Sequence, residues 1–200
     1  MIHRLFSIMI VANLLLASCA NKLDKKIMVM SSGKIQVDQN AKTITFEPGT
    51  QHNEGELSLG PDDKSVTVKS AAGDKTYEVP ENGLYILNLK SDTLIGNLVS
   101  FGESGVPASI SGEQLQHIVD STKALINGEN ADNKKTFFII PNSIKKLSTN
   151  LNAQLINPYK NIPYKVEADK EGKAPEIFKF STNKQKRESL EELMQRMNIK

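Results

Sequence analysis

The sequence predicts a β-rich α+β protein: an antiparallel sheet, sandwich or open barrel, over residues 27–110, and an α+β portion over residues 111–200 that can pack on it as one domain. Three observations carry this. Apolar residues alternate with period two through the first region, and turn-forming clusters interrupt them roughly every ten residues. Later stretches shift to helical spacing behind capping residues.

Taken in order, Ile35 and Val37 alternate with polar neighbours, as do Ile44 and Phe46, Leu57 and Leu59, Val66 and Val68, and Tyr77 and Val79. Asp38-Gln39-Asn40, Pro48-Gly49, Gly60-Pro61-Asp62-Asp63, Gly73-Asp74 and Pro80-Glu81-Asn82-Gly83 lie between them as turns. Asn82-Gly83 supplies positive φ before the next strand. Leu84 to Leu89 is apolar at nearly every position, the mark of a strand buried on both faces or central in its sheet. Residues 93–101 are expected to pair with it through Lys90-Ser91-Asp92, with Gly96 marking a bulge or a close backbone approach.

Ser111 and Gln114 fit a capping box, and Leu115, Ile118, Val119, Thr122, Leu125 and Ile126 form one helical stripe ending at Gly128. Residues 136–140 read as a buried strand stopped by Pro141. Ile144, Leu147 and Leu151 suit a short helix, and residues 153–156 a strand. Pro158 and Pro163 keep residues 157–164 extended or turning. Residues 164–167 and 177–180 read as strands. Thr182 and Gln185 open a terminal helix with Leu190, Leu193, Met194 and Met197 on one face. Its early Lys184, Lys186 and Arg187 oppose the helix dipole, so it should depend on docking.

The N-terminal segment has a different logic. Arg4 precedes an apolar run from Leu5 to Leu16, and Leu16-Ala17-Ser18-Cys19 ends it with small residues and the only cysteine. At about 1.5 Å per residue the run is too short for a bilayer core of roughly 30 Å, but suits a cleaved signal. The four residues resemble the lipobox of bacterial lipoproteins, and the resemblance covers roughly the first tenth of the chain. It implies that residues 1–18 are a signal peptide and that Cys19 becomes a lipidated N-terminus bearing a diacylglyceryl group on sulfur and an acylated amine. The alternative is an ordinary cleaved signal that leaves Cys19 an incidental thiol. Ala20 and Asn21 follow, with no aspartate at the second position. By resemblance to the sorting rule of enteric bacteria this implies the outer membrane, facing the periplasm. Residues 19–26 then form the lipidated cysteine and a short tether, reaching roughly 25 Å at most.

Composition narrows the function. With 25 basic and 23 acidic residues, no one-sided basic field exists for nucleic acid. Once Cys19 is lipidated no thiol remains for a disulfide or a cysteine zinc site. Ser-x-x-Lys resembles the acylation motif of penicillin-recognising enzymes but occurs three times, at Ser31, Ser143 and Ser181, without its companion motifs. His117, Glu113 and Asp120 share a helical face opposite the apolar stripe and read as a solvated surface. His52, Glu54 and Glu56 alternate, but the turn-rich surroundings favour a loop over a metal site. No phosphate loop or nucleophile elbow is present. No catalytic residue, metal site or cofactor is therefore expected.

Pro158-Tyr159-Lys160 recurs as Pro163-Tyr164-Lys165. Tyr159 and Tyr164 on a proline-stiffened segment, with Lys160 and Lys165 beside them, are the candidate contact platform. The plainer alternative packs both rings on the sheet and leaves the prolines only to steer the chain. The resulting expectation is a non-enzymatic binding or structural lipoprotein held in the membrane through Cys19, its partner an envelope protein or peptidoglycan. A glycan- or peptidoglycan-binding module is the rival, favoured by tyrosines exposed in a groove. A hydrolytic enzyme comes third, favoured by a buried histidine–carboxylate pair in a cleft.

Overall fold

A computed structural model describes residues 24–99, 112–163, 166 and 175–197. The chain is β-rich with two helices among the described residues, an α+β fold as the periodicities predict. Ten strands run in the order β1 (Lys25–Asp38), β2 (Thr43–Leu59), β3 (Ser65–Ser70), β4 (Lys75–Glu78), β5 (Gly83–Leu89), β6 (Leu94–Val99), β7 (Thr136–Ile139), β8 (Ser143–Ser148), β9 (Gln154–Ile156) and β10 (Ile177–Thr182). Helix α1 (Gly112–Ile126) follows β6, and α2 (Asn183–Arg196) follows β10.

Six strands form a nearly closed sheet in the order β4-β3-β2-β1-β5-β8. Most neighbours are antiparallel, while β1 with β5 and β2 with β3 are parallel. The sheet closes because β1 and β2 are long and bend together. At Ser32/Gly33 the register jumps from His52 to Pro48, leaving residues 49–51 unpaired on β2. Gly33 sits at φ +128, and a Cβ there would lie 2.1 Å from the Glu47 carbonyl oxygen, so only glycine fits the corner. Beyond the bend the hairpin folds back until Ile35 and Val37 lie over Gly55. Lys75 Nζ of β4 then donates to the Asn142 carbonyl beside β8 at 2.7 Å, across the remaining gap. Side chains from Ile27, Val29, Leu57, Val66, Tyr77 and Leu87 fill the interior.

Four strands, β7-β6-β10-β9, form a second sheet packed on the outer face of β1 and β5. Met30, Leu84 and Ile86 meet Phe137, Phe178 and Phe180 there, with Phe137 and Phe178 edge to face at 5.6 Å. Every residue of β5 is buried because Tyr85, Leu87 and Leu89 face the barrel interior while Leu84 and Ile86 face the second sheet. That explains its continuous apolar run. The other face of the second sheet carries Ile95 and Phe138 against Leu125 and Ile126 of α1 and Leu190 of α2.

Several details differ from expectation. Residues 94–99 do not pair with β5 but belong to the second sheet, and the Asn88–Asp92 loop carries the chain across. Gly96 is a close approach: a Cβ there would lie 2.3 Å from the Phe180 ring. Residues 143–148 are strand β8, not helix, since pairing with β5 outweighs their weak helical spacing. Ile118 is 38% exposed although it lies on the apolar stripe of α1. The capping box of α2 forms as read, Thr182 Oγ1 accepting from the Gln185 amide and Gln185 Oε1 from the Thr182 amide. Asp92 Oδ2 accepts from the Lys184 amide at 3.0 Å, supplying from outside the acid that the first turn of α2 lacks. The predicted signal peptide, Cys19 and Ser111 lie outside the described residues, as does most of the predicted strand 164–167.

Candidate functional site

The stretch of β1 before its bend, from Lys25 to Ser32, runs from one end of the barrel to the other. Lys25, Leu59 and Gly83 meet at one end. Six residues on, about 20 Å along the strand, Ser31 and Ser32 meet the β1–β2 bend and the loop after β5 at the other. The unusual chemistry collects at this second end.

Each member is positioned for a local reason. His52 is the first paired residue after the bend of β2, opposite Ser32. The expected loop around His52, Glu54 and Glu56 is therefore strand: the bend absorbs the turn-forming residues 48–51 and leaves alternation intact behind it. Lys90 is set by Asn88, the one polar residue in the apolar run of β5. Asn88 Nδ2 donates to the Asp92 carbonyl at 3.0 Å and the Ile139 carbonyl at 2.9 Å, and its Oδ1 accepts from the Lys90 amide at 2.9 Å. These bonds turn the chain and send the Lys90 side chain inward, where Nζ donates to the Ser31 carbonyl at 3.2 Å.

Tyr159 comes from the second sheet. Asn157 Oδ1 accepts from the Tyr159 amide at 2.9 Å, forming an Asx turn. Lys179 Nζ of β10 donates to the Asn157 carbonyl at 2.6 Å and to the Lys160 carbonyl, pinning both ends of the turn. The Tyr159 ring centroid lies 4.8 Å from that of His52, with the planes tilted by 53°. Lys90 Nζ stands 5.5 Å from the same Tyr159 centroid, within cation–π range.

Burial makes the site electrostatically uneven. Lys90 is only 3% exposed, and among the described residues no carboxylate lies within 4 Å of its ammonium. Burial lowers its pKa, with Glu54 and Asp92 opposing from farther off. His52 Nε2 bonds Glu54 Oε1 at 3.2 Å, while its buried Nδ1 has no hydrogen-bond partner among the described residues. Burial and then the Lys90 charge lower the His52 pKa, against the pull of Glu54 and of the Ser31 backbone. The surroundings thus favour the neutral imidazole.

Of the candidate contact residues, Tyr159 is 62% exposed and Lys160 is exposed. The Tyr159 ring meets His52 of β2 on one side and leaves the rest of its surface to solvent. Tyr164 and Lys165 lie outside the described residues. His117, Glu113 and Asp120 are exposed on α1. The sequence weighs His52 only as a metal ligand and sets it aside among turn residues, and it places Lys90 in a linker. The signal was Asn88, a polar break in an otherwise apolar strand.

The arrangement can bind by stacking on Tyr159 and by charge through Lys90. The His52–Glu54 pair has the form of an oriented base, yet among the described residues no hydroxyl or thiol bonds the other ring nitrogen. Ser31 Oγ is committed to the Gly33 carbonyl at 2.9 Å. No three metal-ligating side chains gather among the described residues, and no helix there is long and apolar enough to cross a membrane. A groove of about 600 Å³ opens toward the other end between Glu81, Tyr85, Lys134 and Lys146. Its polar groups are largely matched, with Lys146 on Glu81 at 2.5 Å and Tyr85 Oη donating to the Glu81 carbonyl at 2.7 Å. Comparison with known proteins finds no matching family model, curated protein or solved structure.

Proposed function

We infer that the protein is a lipid-anchored module of the bacterial envelope that binds a partner without turnover, through the end of the barrel remote from its anchor. One observation carries this reading: Tyr159, a large aromatic residue 62% exposed, is fixed on a turn pinned at both ends instead of being buried. Holding a rigid aromatic ring in water gains little for folding and much for recognition, since little freedom remains to be lost on contact. The lipobox-like Leu16-Ala17-Ser18-Cys19 supports the anchor, and Ala20-Asn21 supports an outer-membrane address facing the periplasm. From Cys19 to the first strand residue, Lys25, the chain reaches at most about 21 Å. The Lys25 end would thus be held near the bilayer, and Tyr159 would be presented away from it.

A glycan or peptidoglycan partner is the favoured version, because the exposed face of Tyr159 can stack on a sugar ring. Lys160 would stand at the rim of the contact. Two experiments test the reading. Cys19→Ala should lose palmitate labelling and leave the washed membrane pellet; equal labelling in both proteins would remove the anchor. Tyr159→Ala should melt like the wild type yet lose its partner in pull-downs from envelope extract and from purified peptidoglycan. A folded variant that keeps every partner would refute this contact surface.

A further inference from the structure

We propose that Lys90 and His52 form a carboxylate-binding site beneath Tyr159, so that the ligand of this end of the barrel carries an acid group; this rests on the binding function inferred above. The geometry consists of two unmet demands at one place. Lys90 is a buried cation whose ammonium has one carbonyl, that of Ser31, and one ring face for company. A buried charge without a counter-ion is unfavourable unless something supplies one. Among the described residues His52 Nδ1 is buried without a hydrogen-bond partner in bonding geometry, with the Ser31 backbone close by, and its ring touches the same tyrosine. A water or a neutral hydroxyl would satisfy the nitrogen but leave the ammonium uncompensated. A carboxylate meets both demands, accepting from Lys90 Nζ and from a protonated His52 Nδ1, while Glu54 keeps Nε2.

Tyr159 then acts as the cover as well as the stacking surface. Its ring rests against both groups on one side, so the ligand's acid would reach them past the ring edge while the rest of the ligand stacks on the outer face. Lys25, at the opposite end of the barrel, shows that the fold can satisfy a buried lysine fully where no ligand is wanted. Its Nζ donates to the carbonyls of Pro61 at 2.8 Å, Asp63 at 2.6 Å and Gly60 at 3.4 Å.

The site also has a pH signature. The charged groups about His52 are Glu54 on its own strand and Lys90 from the loop after β5, with Tyr159 on the turn before β10; Asp92 faces Lys90 within the same loop. A bound carboxylate would offset the Lys90 charge and favour the imidazolium, so binding should tighten as pH falls. Stacking alone would leave the affinity unchanged with pH.

The whole protein in detergent micelles, titrated at pH 6 while the His52 ring signals are followed by NMR, tests this. The probes are N-acetylmuramic acid, N-acetylglucosamine, which lacks the lactyl carboxylate, and N-acetylalanine, which has the acid without the sugar. The acidic sugar should bind at least about tenfold tighter than the neutral one, as expected for a charge-assisted contact, and more tightly than at pH 7.5. Lys90→Met should bring the two sugars within about twofold of each other. Tighter binding of the acidic sugar than of N-acetylalanine assigns the carboxylate to a glycan, and the reverse order to a peptide; either supports the site. Equal affinity for the two sugars in the wild type would overturn it, as would a preference that survives Lys90→Met, or binding of none of the three. In the first two cases the pull-down with Tyr159→Ala still judges the binding function independently.

Discussion

Each end of the barrel buries a lysine, and the two lysines could hardly be treated more differently. Lys25 is 1% exposed and its ammonium is ringed by three carbonyls of the Gly60–Asp63 loop, so the barrel is stitched shut there. Lys90 is 3% exposed with one carbonyl and a tyrosine face, and a half-satisfied histidine stands beside it. Burial alone therefore says little about a charged residue; the count of its partners separates a structural lysine from one poised for something else. The two ends differ in backbone as well. At the Lys25 end β1 meets β2 and β5 in register, with the Gly83 amide donating to the Asp24 carbonyl at 2.9 Å. At the Lys90 end β1 and β2 break register and bend.

The largest effect should come from restoring an ordinary residue at that bend. Gly33→Ala places a methyl group 2.1 Å from the Glu47 carbonyl oxygen at a φ of +128, a conformation and a contact that alanine cannot accept. A loss of about 3 kcal/mol in urea unfolding is expected. Because the bend aims His52, the variant should also lose the His52–Tyr159 ring contact, read as a change in the His52 ring signals. A variant as stable as the wild type, with unchanged signals, would show that the corner does not set the site.

The lysines themselves give the sharper contrast. Lys25→Met leaves the partly buried carbonyls of Pro61 and Asp63 without their donor, and should cost about 2 kcal/mol. Lys90→Met removes a buried charge that has little to hold it. Its stability should change by no more than about 1 kcal/mol, in either direction. Equal losses in the two variants would mean that Lys90 is as structural as Lys25, and the distinction between the ends would fall.

Why one end could be read from the sequence and the other could not follows from the same physics. Strand β5, the capping box at Thr182 and Gln185 and the Gly83 turn all show in residues within a few positions, so spacing reveals them. The site depends on contacts across 59 residues from Ser31 to Lys90, and farther to Tyr159. Periodicity cannot carry that information. His52 was hidden because Pro48-Gly49 suggested a loop, whereas the bend uses up those residues and pairing resumes at once. Residues 143–148 read as helix for a related reason: the apolar neighbours that make them strand belong to β5. Tyr159 was legible as a candidate from Pro158-Tyr159-Lys160, but its exposure is decided by Lys179 of β10, 20 residues away in sequence.

The smallest effect, and the one most specific to the Lys90 end, is a slope of stability with pH. His52 carries a pKa lowered from 6.5 in the native state, first by burial and then by the charge of Lys90. In the unfolded chain the imidazole returns to about 6.5. As pH falls through 6.5 the unfolded chain therefore takes up the proton first, and the native state is disfavoured. The stability associated with a neutral His52 is full above 6.5 and is lost as pH falls from there toward the lower native value. His52→Gln keeps a donor for Glu54 but cannot titrate, so its unfolding free energy should fall less between pH 7.5 and pH 5.5 than that of the wild type. Lys90→Met should shrink the wild-type slope part of the way, since it removes the second cause of the shift but not the first. Identical slopes for wild type and His52→Gln would show that the ring is no more desolvated in the native state than in the unfolded one. An unchanged slope in Lys90→Met, with His52→Gln still flat by comparison, would place the whole shift on burial and uncouple the two groups that the carboxylate is expected to bridge.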